Sequence, residues 1–338
     1  MRPGSARILE DIRKRDMSRH RTVRVAFTDY YGLAPENIWA YRILSKFYDV
    51  RVVARDPDYL IDGGLGSDHL DYPNAVRIVF VGESYVPDFN QFDYAVGFDD
   101  LTFGDRYLRE PLFVHYGQFR ALCALPPLTA ADRDALVRRD FCSFVVSNED
   151  GDPMRVEFFK RLSKYKPVAS GGKLFNNVGG RVADKCAFLA KYKFNIAFEN
   201  SVVPGYTTEK VMEPLAVRSV PIYYGNPRIA EDFDPACLVR VASRDDVERA
   251  VEEIIRLDRD DDAYFAKLAA PSFMHSVDWY EARLADFLRH VFDQPLDAAR
   301  RLNAYGYQTN IRHRADRARK FYLWTHPGKV LKRIRGRG

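Results

Sequence analysis

The chain has 338 residues, of which 46% are hydrophobic and 14% are aromatic. This composition excludes a disordered or fibrous protein, and at roughly 150 residues per domain the length predicts two globular domains. The four cysteines lie far apart and form no CxxC pair. The sequence therefore predicts neither a disulfide framework nor a zinc site, and it favours a reducing compartment.

The first half of the chain has the pattern of an α/β domain. Short apolar runs predict strands at residues 22–28, 50–54, 76–82 and 94–98. Residues 36–47 carry apolar side chains at helical spacing, which predicts a helix. This alternation of strands and helices indicates an open α/β sheet.

The second half repeats this pattern. Strands are predicted at residues 141–147, 167–169, 194–198 and 220–224, and helices at residues 156–165, 184–192 and 209–217. Residues 124–130 contain two prolines and no clear period, which is typical of an interdomain connection and places the boundary at 125–140. Further helices are predicted at residues 245–270 and 279–292.

The loop after the strand at residues 194–198 has the pattern of an anion site. Thr207 or Thr208 can cap a helix there, with Glu209 in the first turn. Free N–H groups at a helix start bind anions, and Lys210 adds a full positive charge beside them. We therefore expect a pyrophosphate at the carboxyl end of this strand.

The net charge of +5 is concentrated at the end of the chain, where residues 311–338 contain ten Lys or Arg and one acid. These cations are Arg312, Arg314, Arg317, Arg319, Lys320, Lys329, Lys332, Arg333, Arg335 and Arg337. They surround apolar side chains, namely Phe321, Tyr322, Leu323, Trp324, Val330, Leu331 and Ile334. The mixture predicts binding to an anionic membrane surface and no specific nucleic acid partner. A disordered solubilising tail, or incidental affinity for nucleic acid, is the alternative.

Several motifs carry a resemblance to one family. The donor-binding motif of the bacterial α-1,3-fucosyltransferase family resembles residues 192–201 (YKFNIAFENS), 205–210 (GYTTEK) and 219–225 (SVPIYYG). The acceptor-domain signature of its bacterial members is similar to residues 79–84 (VFVGES), 90–99 (NQFDYAVGFD) and 105–111 (DRYLREP). The entry to the family's donor domain looks like residues 144–148 (FVVSN) followed by Arg155.

The resemblance implies an α/β fold of two facing Rossmann-like domains, the GT-B glycosyltransferase architecture, with closing C-terminal helices. We accordingly expect a basic extension at residues 1–21, an acceptor-binding domain at 22–130, a GDP-fucose-binding domain at 131–300, and C-terminal helices with the basic tail at 301–338. Residues 1–21 are charged throughout and have the pattern neither of a signal peptide nor of a membrane anchor. The resemblance is thus to the bacterial, cytoplasmic form, and the tail predicts a peripheral position on the inner face of the bacterial membrane.

The implied activity is inverting transfer of L-fucose from GDP-fucose to an N-acetylglucosamine or glucose hydroxyl of a glycan acceptor. The linkage implied is α-1,3, or α-1,3 and α-1,4, and the family requires no obligatory metal or other cofactor. A transferase for another GDP-sugar and a non-catalytic sugar-nucleotide-binding protein are the alternatives. Some bacterial members carry heptad repeats used for dimerisation, and this sequence has none, so the oligomeric state stays open.

Inverting transfer needs a base that takes the proton of the acceptor hydroxyl, and cations that stabilise the departing diphosphate. Glu83 follows an apolar strand and matches the family's proposed base; a solvated loop carboxylate is the alternative. Arg155 matches the donor-site arginine, although a first-turn arginine is often a surface charge. Lys210 supplies a second cation and Tyr206 a hydroxyl donor on the same loop.

Further residues are candidates with structural alternatives. Glu209 matches a residue that accepts hydrogen bonds from ribose hydroxyls, and its alternative role is a favourable helix-terminal charge. Asn200 orients the nucleotide or the fucose, or shapes a turn. Tyr30 and Tyr31 follow the first strand, where aromatic rings stack on an acceptor sugar or pack in the core.

No metal site is predicted. Asp150 and Asp152 form an Asp-x-Asp pair, but an acid before a proline-led helix start is ordinarily a cap or a loop residue. Glycines at residues 63–66, 171–172 and 179–180 predict turns rather than phosphate loops.

Overall fold

The computed structural model describes residues 21–148, 150–302 and 307–325. The chain divides into two compact units. The first contains the described residues of Met1–Val96, Phe103–Leu108 and Leu284–Gly338, and the second contains those of Gly97–Thr102 and Arg109–Arg283. Residues 1–20 of the predicted N-terminal extension lie outside the described residues.

Eleven strands are described. In chain order they are β1 (Thr22–Thr28), β2 (Asp49–Val52), β3 (Tyr59–Asp62), β4 (Val76–Phe80), β5 (Tyr94–Gly97), β6 (Tyr107–Arg109), β7 (Asp140–Phe144), β8 (Val168–Ser170), β9 (Tyr192–Phe198), β10 (Val220–Tyr224) and β11 (Val239–Arg240).

Eleven α-helices lie in the described part of the chain. They are α1 (Trp39–Leu44), α2 (Gly117–Cys123), α3 (Ala130–Val137), α4 (Met154–Leu162), α5 (Lys185–Leu189), α6 (Glu209–Ala216), α7 (Val247–Arg259), α8 (Asp261–Ala269), α9 (Val277–Asp293), α10 (Leu296–Ala299) and α11 (Tyr307–Thr325).

Each unit is built on one sheet. The first sheet has the strand order β2-β1-β3-β4-β5-β6, and the pairs from β2 to β5 are parallel. The second has the order β11-β10-β9-β7-β8, and all its pairs are parallel. Parallel strands connected by helices make an α/β architecture, so the predicted fold class of two Rossmann-like units is confirmed.

Strand β3 was not predicted from the sequence. Its four residues are buried, and it pairs with both β1 and β4 in the middle of the first sheet. The apolar run of Tyr59, Leu60 and Ile61 is short and lies between acidic and glycine-rich stretches, so its pattern resembles a loop. The consequence is that Asp62 ends a central strand and is held at the carboxyl edge of the sheet.

The two compact units assign two stretches differently from the predicted domains, whose bounds stay a prediction. Residues 109–130 belong to the second unit, in which Phe113 and Phe119 pack edge-to-face on Tyr280. Residues from Leu284 onward belong to the first unit. The aromatic contacts around Tyr280 join stretches far apart in the chain, and proline content alone does not reveal them.

The strands of the second unit are apolar because they lie in its hydrophobic core. Phe144 of β7 and Phe194 and Phe198 of β9 are fully buried, and Ile254 of α7 belongs to the same cluster. Strands covered by helices on both faces read as continuous apolar runs. Their carboxyl ends therefore open into loops in which the polar residues of the unit collect.

Candidate functional site

A cavity of about 380 Å³ lies at the carboxyl edge of the second sheet. Its walls come from the residues that directly follow three neighbouring strands, together with the start of α6. The lining residues are Val145, Val146, Ser147, Asn148, Arg155, Gly171, Gly172, Arg181, Val182, Ala183, Lys185, Asn200, Glu209 and Lys210. Four of these side chains are cationic and one is acidic, so the cavity is suited to an anion.

Arg155 is the most unusual of these cations because it is buried. Only 2% of its surface is exposed, and it is the second residue of α4. Its Nη1 donates to Asn200 Oδ1 at 2.9 Å and its Nη2 to the Asn148 carbonyl at 3.0 Å. Among the described residues Arg155 forms no ion pair, Asp152 being the acid that acts on it electrostatically, and its Nε has no hydrogen-bond partner there.

A buried guanidinium without a counterion is costly unless a ligand supplies the negative charge. Burial lowers the pKa of Arg155, and nearby Asp152 partly offsets this. A Cβ at Gly151 would lie 1.6 Å from the Arg155 Nη2, so only glycine leaves the guanidinium its place there. Asn200 therefore orients Arg155, and Gly151 makes room for it.

The start of α6 has the capping arrangement expected from the sequence. The Thr208 side chain accepts from the Lys210 N–H, and Glu209 is in the first turn. Glu199, which is fully buried, accepts from the Thr208 N–H at 2.8 Å and from its hydroxyl at 2.7 Å. The prediction that Thr207 or Thr208 caps the helix is thus settled in favour of Thr208.

Lys210 is held beside the helix start by two carboxylates. Its Nζ lies 3.2 Å from Glu199 Oε2 and 3.5 Å from Glu209 Oε1. Burial alone would lower the pKa of Lys210, but Glu199 and Glu209 raise it above its ordinary value. The lysine therefore stays charged, and part of its charge is offset within the protein.

Glu209 also stays ionised. Burial alone would raise its pKa, whereas Lys210 and Lys185 lower it below the ordinary value. Its carboxylate lines the cavity and can accept hydrogen bonds from sugar hydroxyls.

Two of the four cations were not found from the sequence. Lys185 begins α5, and its Nζ lies 2.5 Å from Glu213 and 3.9 Å from Glu209. Arg181 is exposed at the cavity wall. Arg181 lies in a loop and Lys185 in a short helix, and neither segment has a recognisable phosphate motif. Only their proximity to β9 and α6 in the folded protein identifies them.

The glycines 171–172, predicted as a turn, also line the cavity, and a Cβ at Gly172 would be 2.0 Å from the Val146 carbonyl oxygen.

Tyr206 lies apart from the cavity lining. It is 3% exposed, and its ring packs edge-to-face on Phe98 at a centroid distance of 5.2 Å. The structure therefore brings together Arg155, Asn200 and the residues that open α6, while Tyr206 packs in the core of the same unit.

Asp152 has the loop role that was one of the two roles predicted for it, because the N-cap of α4 is Pro153 and no side chain caps the helix. Its Oδ1 accepts from the Met154 N–H at 2.9 Å, and its Oδ2 accepts from the Tyr224 hydroxyl at 3.3 Å. Asp150 is exposed, and its own N–H donates to Asn148 Oδ1. These contacts fix the loop that carries Arg155 into place.

The predicted base and acceptor residues lie in the first unit. Glu83 is exposed in the loop after β4, and its carbonyl accepts from the Tyr85 N–H at 2.9 Å. Tyr31 is 84% exposed with a φ of 51°, so its ring faces solvent. Tyr30 differs, because its hydroxyl is buried without a hydrogen-bond partner among the described residues, and burial raises its pKa well above the ordinary value.

The described part of the basic tail is α11. Phe321 is 66% and Trp324 is 79% exposed, and exposed cations precede them at Arg314 and Arg317. Outside the described part lie the side chains of Arg319 and Leu323 and all of residues 326–338, including Lys329, Val330, Leu331, Lys332, Arg333, Ile334, Arg335 and Arg337. Within the described ranges, every helix is too short or too polar to cross a membrane.

Two parallel α/β units, with a cationic cavity at the carboxyl edge of one sheet, define a glycosyltransferase of the two-domain GT-B class. Two family models match the chain. The model of the alpha-(1,3)-fucosyltransferase FucT N-terminal domain matches residues 25–116, and that of the glycosyltransferase family 10 (fucosyltransferase) C-terminal part matches residues 136–269. Together they match more than half of the chain, which belongs to glycosyltransferase family 10, the fucosyltransferases.

Individual relatives agree with this assignment. The chain is 35% identical over 268 residues to the alpha-(1,3)-fucosyltransferase FucT of Helicobacter pylori, covering 69% of this chain and 56% of that protein. It thus spans about half the length of this curated relative. A crystal structure of an alpha1,3-fucosyltransferase matches with a TM-score of 0.72 and 28% identity over 86% of this chain and 94% of that one. A crystal structure of alpha1,3-fucosyltransferase with GDP-fucose matches with a TM-score of 0.66 at 28% identity, over 80% of this chain and 92% of that one.

Proposed function

We propose that this protein is a fucosyltransferase that moves L-fucose from GDP-fucose to a hydroxyl of a glycan acceptor. The observation that carries the proposal is Arg155, a buried guanidinium at a cavity wall without a carboxylate ion pair among the described residues. A nucleoside diphosphate would supply the missing negative charge through charge-assisted hydrogen bonds. The matching structure with GDP-fucose supports the choice of donor.

In this proposal the second unit binds the donor and the first unit binds the acceptor. Arg155 and Lys210 hold the diphosphate, at the start of α6, whose N–H groups favour an anion. Glu209 accepts hydrogen bonds from the ribose, and Asn200 keeps Arg155 in position. Tyr206 remains a proposed donor contact.

Glu83 is proposed as the base. It would take the proton from the acceptor hydroxyl while that oxygen attacks the anomeric carbon of fucose, and the bond to the GDP oxygen would break on the opposite face. The cations of the cavity would stabilise the negative charge that develops on departing GDP, a role that many other enzymes give to a metal ion. Attack opposite to the leaving group inverts the anomeric configuration.

The acceptor is proposed to be an N-acetylglucosamine or glucose unit, linked at the 3-position or at the 3- and 4-positions. The H. pylori relative and the matched structures support the α-1,3 linkage by their names. Exposed Tyr31 offers an aromatic face for a sugar ring, and Tyr30 would support the same loop.

The test is a transfer assay with GDP-fucose and GDP-mannose against acceptors that end in N-acetylglucosamine or glucose. The proposal expects product only from GDP-fucose, with the β-configured donor fucose converted to an α-linked product whose position is read by NMR. Product from GDP-mannose alone would replace the donor, and binding of GDP-fucose without hydrolysis or transfer would favour a non-catalytic binding protein.

We further propose that the basic tail binds an anionic membrane surface and thereby places the enzyme on the inner face of the bacterial membrane. Exposed Phe321, Tyr322 and Trp324 follow exposed cations in α11, a combination that suits an anionic interface. Each cation near such a surface contributes about 1 kcal/mol. Truncation after Asn310 should release the protein from phosphatidylglycerol vesicles and leave transfer to a soluble acceptor unchanged. Equal vesicle binding by both forms at low and moderate salt would contradict this part of the proposal.

A further inference from the structure

The loops that follow β1 and β3 bring two carboxylates and one imidazole together in the first unit. Each of Asp29, Asp62 and His69 offers one ligand atom, and these atoms all lie within 4.8 Å of one another. Asp29 follows β1, Asp62 ends β3, and His69 lies in the 3-10 helix Asp68–Asp71. None of the three has a part in the proposed transfer.

The carboxylate of Asp62 is buried and fixed. It is 0% exposed, its Oδ2 accepts from the Thr28 hydroxyl at 2.6 Å, and its Oδ1 accepts from the Gly64 N–H at 2.7 Å. Each oxygen keeps a further lone pair, so these bonds orient the carboxylate without using it up. Outer hydrogen bonds of this kind are what orients the ligands of a metal site.

Asp29 is held against Asp62 by an unusual backbone. Its φ of 60° lies in the left-handed region, which a non-glycine residue seldom adopts. Its Oδ2 is buried without a hydrogen-bond partner among the described residues. A Cβ at Gly66 would lie 2.1 Å from Asp29 Oδ1, so the turn after β3 closes directly over this carboxylate.

The Nδ1 of His69 lies near the two carboxylates and has no hydrogen on it, as the contacts of the other ring nitrogen indicate. It is 5% exposed, and its Nε2 lies 3.0 Å from Gln91 Oε1. Gln91 Nε2 donates to Asp88 Oδ2 at 2.8 Å, which leaves the Gln91 oxygen to accept from His69. The His69 Nε2 therefore carries the proton in the neutral ring, and Nδ1 presents a lone pair. This Nδ1 has no hydrogen-bond partner in the described part of the chain, and it lies 3.9 Å from Asp62 Oδ2.

Three electron-rich groups so close together repel unless a cation or a shared proton lies among them. We propose that Asp29, Asp62 and His69 bind one divalent transition-metal ion of the Mn²⁺ or Zn²⁺ class. Two ligand atoms at about 2.0–2.2 Å from such an ion lie at most about 4.4 Å apart, and about 3.3–3.6 Å apart in a tetrahedral site. The 3.9 Å between Nδ1 and Asp62 Oδ2 can therefore be bridged at a wide ligand–metal–ligand angle, and a tetrahedral site would draw the two atoms together by a few tenths of an ångström. The imidazole ligand favours a transition-metal ion, because Mg²⁺ and Ca²⁺ are bound almost entirely by oxygen ligands.

The ion would fasten three loops of the first unit together. It would join the end of β1 to the end of β3 and to the 3-10 helix. The turn at Gly64 is also bonded to the loop after β4, since the Tyr85 hydroxyl donates to the Gly64 carbonyl at 2.9 Å. Glu83 lies in that same loop, so the ion would stiffen the segment that carries it. The role is structural, and it is distinct from the binding of the donor diphosphate.

The direct test is a titration of the EDTA-stripped, tag-free full chain with MnCl₂, followed by the loss of the free Mn²⁺ signal in electron paramagnetic resonance. Mn²⁺ is chosen because it avoids the four cysteines that Zn²⁺ would also bind. We expect one saturable ion per chain, and a loss of at least about tenfold in affinity in His69→Gln and in Asp29→Asn. The matched control is Asp71→Asn, which removes one exposed acid from the same 3-10 helix and should bind Mn²⁺ like the wild type.

Folding of each variant is checked by circular dichroism and by its affinity for GDP. If His69→Gln fails to fold, Gln91→Leu replaces it, because removing the partner of His69 should weaken the ion by about 10- to 100-fold. The inference is overturned if the wild type shows no saturable binding at millimolar Mn²⁺ or Zn²⁺, which would leave a shared proton as what joins the carboxylates. It is also overturned if the wild type and folded Asp29→Asn bind equally well.

Discussion

The two units place polar residues at the same position of the same kind of sheet, yet with opposite charge. In the second unit the residues after β7, β8 and β9 surround a cavity with four cations. In the first unit the residues after β1 and β3 form a cluster of two acids and an imidazole. The comparison teaches that the parallel sheet fixes where a ligand binds, while a few loop residues fix its charge.

The two regions also differ in how they treat a buried charge. Arg155 is buried at a cavity wall, where it is hydrogen-bonded to Asn200 and Asn148 but has no carboxylate ion pair within the described ranges, and where an anionic ligand can reach it. Asp62 is buried beside a second acid, where only a cation or a proton relieves the repulsion. In both places the described residues compensate a buried charge only in part, and such a charge is a physical sign of a ligand site.

The first prediction separates catalysis from binding and has the largest expected effect. Glu83→Gln keeps the size of the side chain but removes the proton acceptor, so turnover should fall by about 10²–10⁴ while GDP affinity is kept. Transfer rates and calorimetric titration with GDP measure the two quantities. Glu36→Gln, which changes another exposed acid of the first unit, serves as the control. Wild-type turnover in Glu83→Gln would remove it from the role of base.

The second prediction concerns the weaker of the two predicted donor cations. Lys210→Met should lower GDP affinity by about tenfold, because Glu199 and Glu209 already offset part of the lysine charge. The same variant leaves buried Glu199 without its ion pair and should lower the midpoint of thermal unfolding. Titration with GDP and a melting curve check both effects, and a loss of stability with unchanged GDP affinity would make Lys210 purely structural.

A third prediction concerns Glu110, a buried acid of the second unit that differs from Arg155 because it can lose its charge by binding a proton. It is 1% exposed, and neither carboxylate oxygen has a hydrogen-bond partner among the described residues, although His115 Nε2 lies 3.5 Å from Oε1. Burial raises its pKa to about 8; Arg283 lowers it and Glu281 raises it further. The folded state therefore holds this proton at a pH at which the unfolded chain, with a pKa near 4.5, has released it.

The sign follows from linkage. Because the folded state binds more protons, the contribution of Glu110 to stability is full below about pH 4.5 and is lost as the pH rises to about 8. Glu110→Gln should thus gain stability relative to the wild type across this window, by at most about 1.4 kcal/mol per pH unit. Urea unfolding at several pH values measures it, with Glu252→Gln on the exposed face of α7 as the control. A difference between Glu110→Gln and wild type that does not vary with pH would contradict this account.

Much of this structure could be predicted from the sequence where the apolar pattern was long enough. Strands β1, β4, β9 and β10 were found because each is a run of five or more residues that is rich in apolar and β-branched side chains. The four-residue β3 was missed, and Asp62 was missed with it. A short strand between turn residues gives no period from which to recognise it.

The donor cavity was predicted in part for a similar reason. Glu209 and Lys210 lie next to a recognisable strand end and helix start, so local pattern was sufficient to place them, whereas Arg155 in the first turn of α4 was assigned through the family resemblance. Arg181 and Lys185 reach the cavity only because β9 brings α5 to the same edge, which is a tertiary effect. The same holds for His69, whose relation to Asp29 depends on the pairing of β1 with β3.

The central claim is that buried Arg155 binds the diphosphate of a nucleotide. Calorimetric titration of GDP into three proteins tests this claim most directly. These are the wild type, Arg155→Ala and the matched control Lys160→Ala, which removes an exposed cation from the same helix. Loss of a charge-assisted contact of about 1.5–3 kcal/mol predicts a roughly 10- to 150-fold weaker affinity in Arg155→Ala and no change in Lys160→Ala. Unchanged GDP affinity in a folded Arg155→Ala protein would contradict the account.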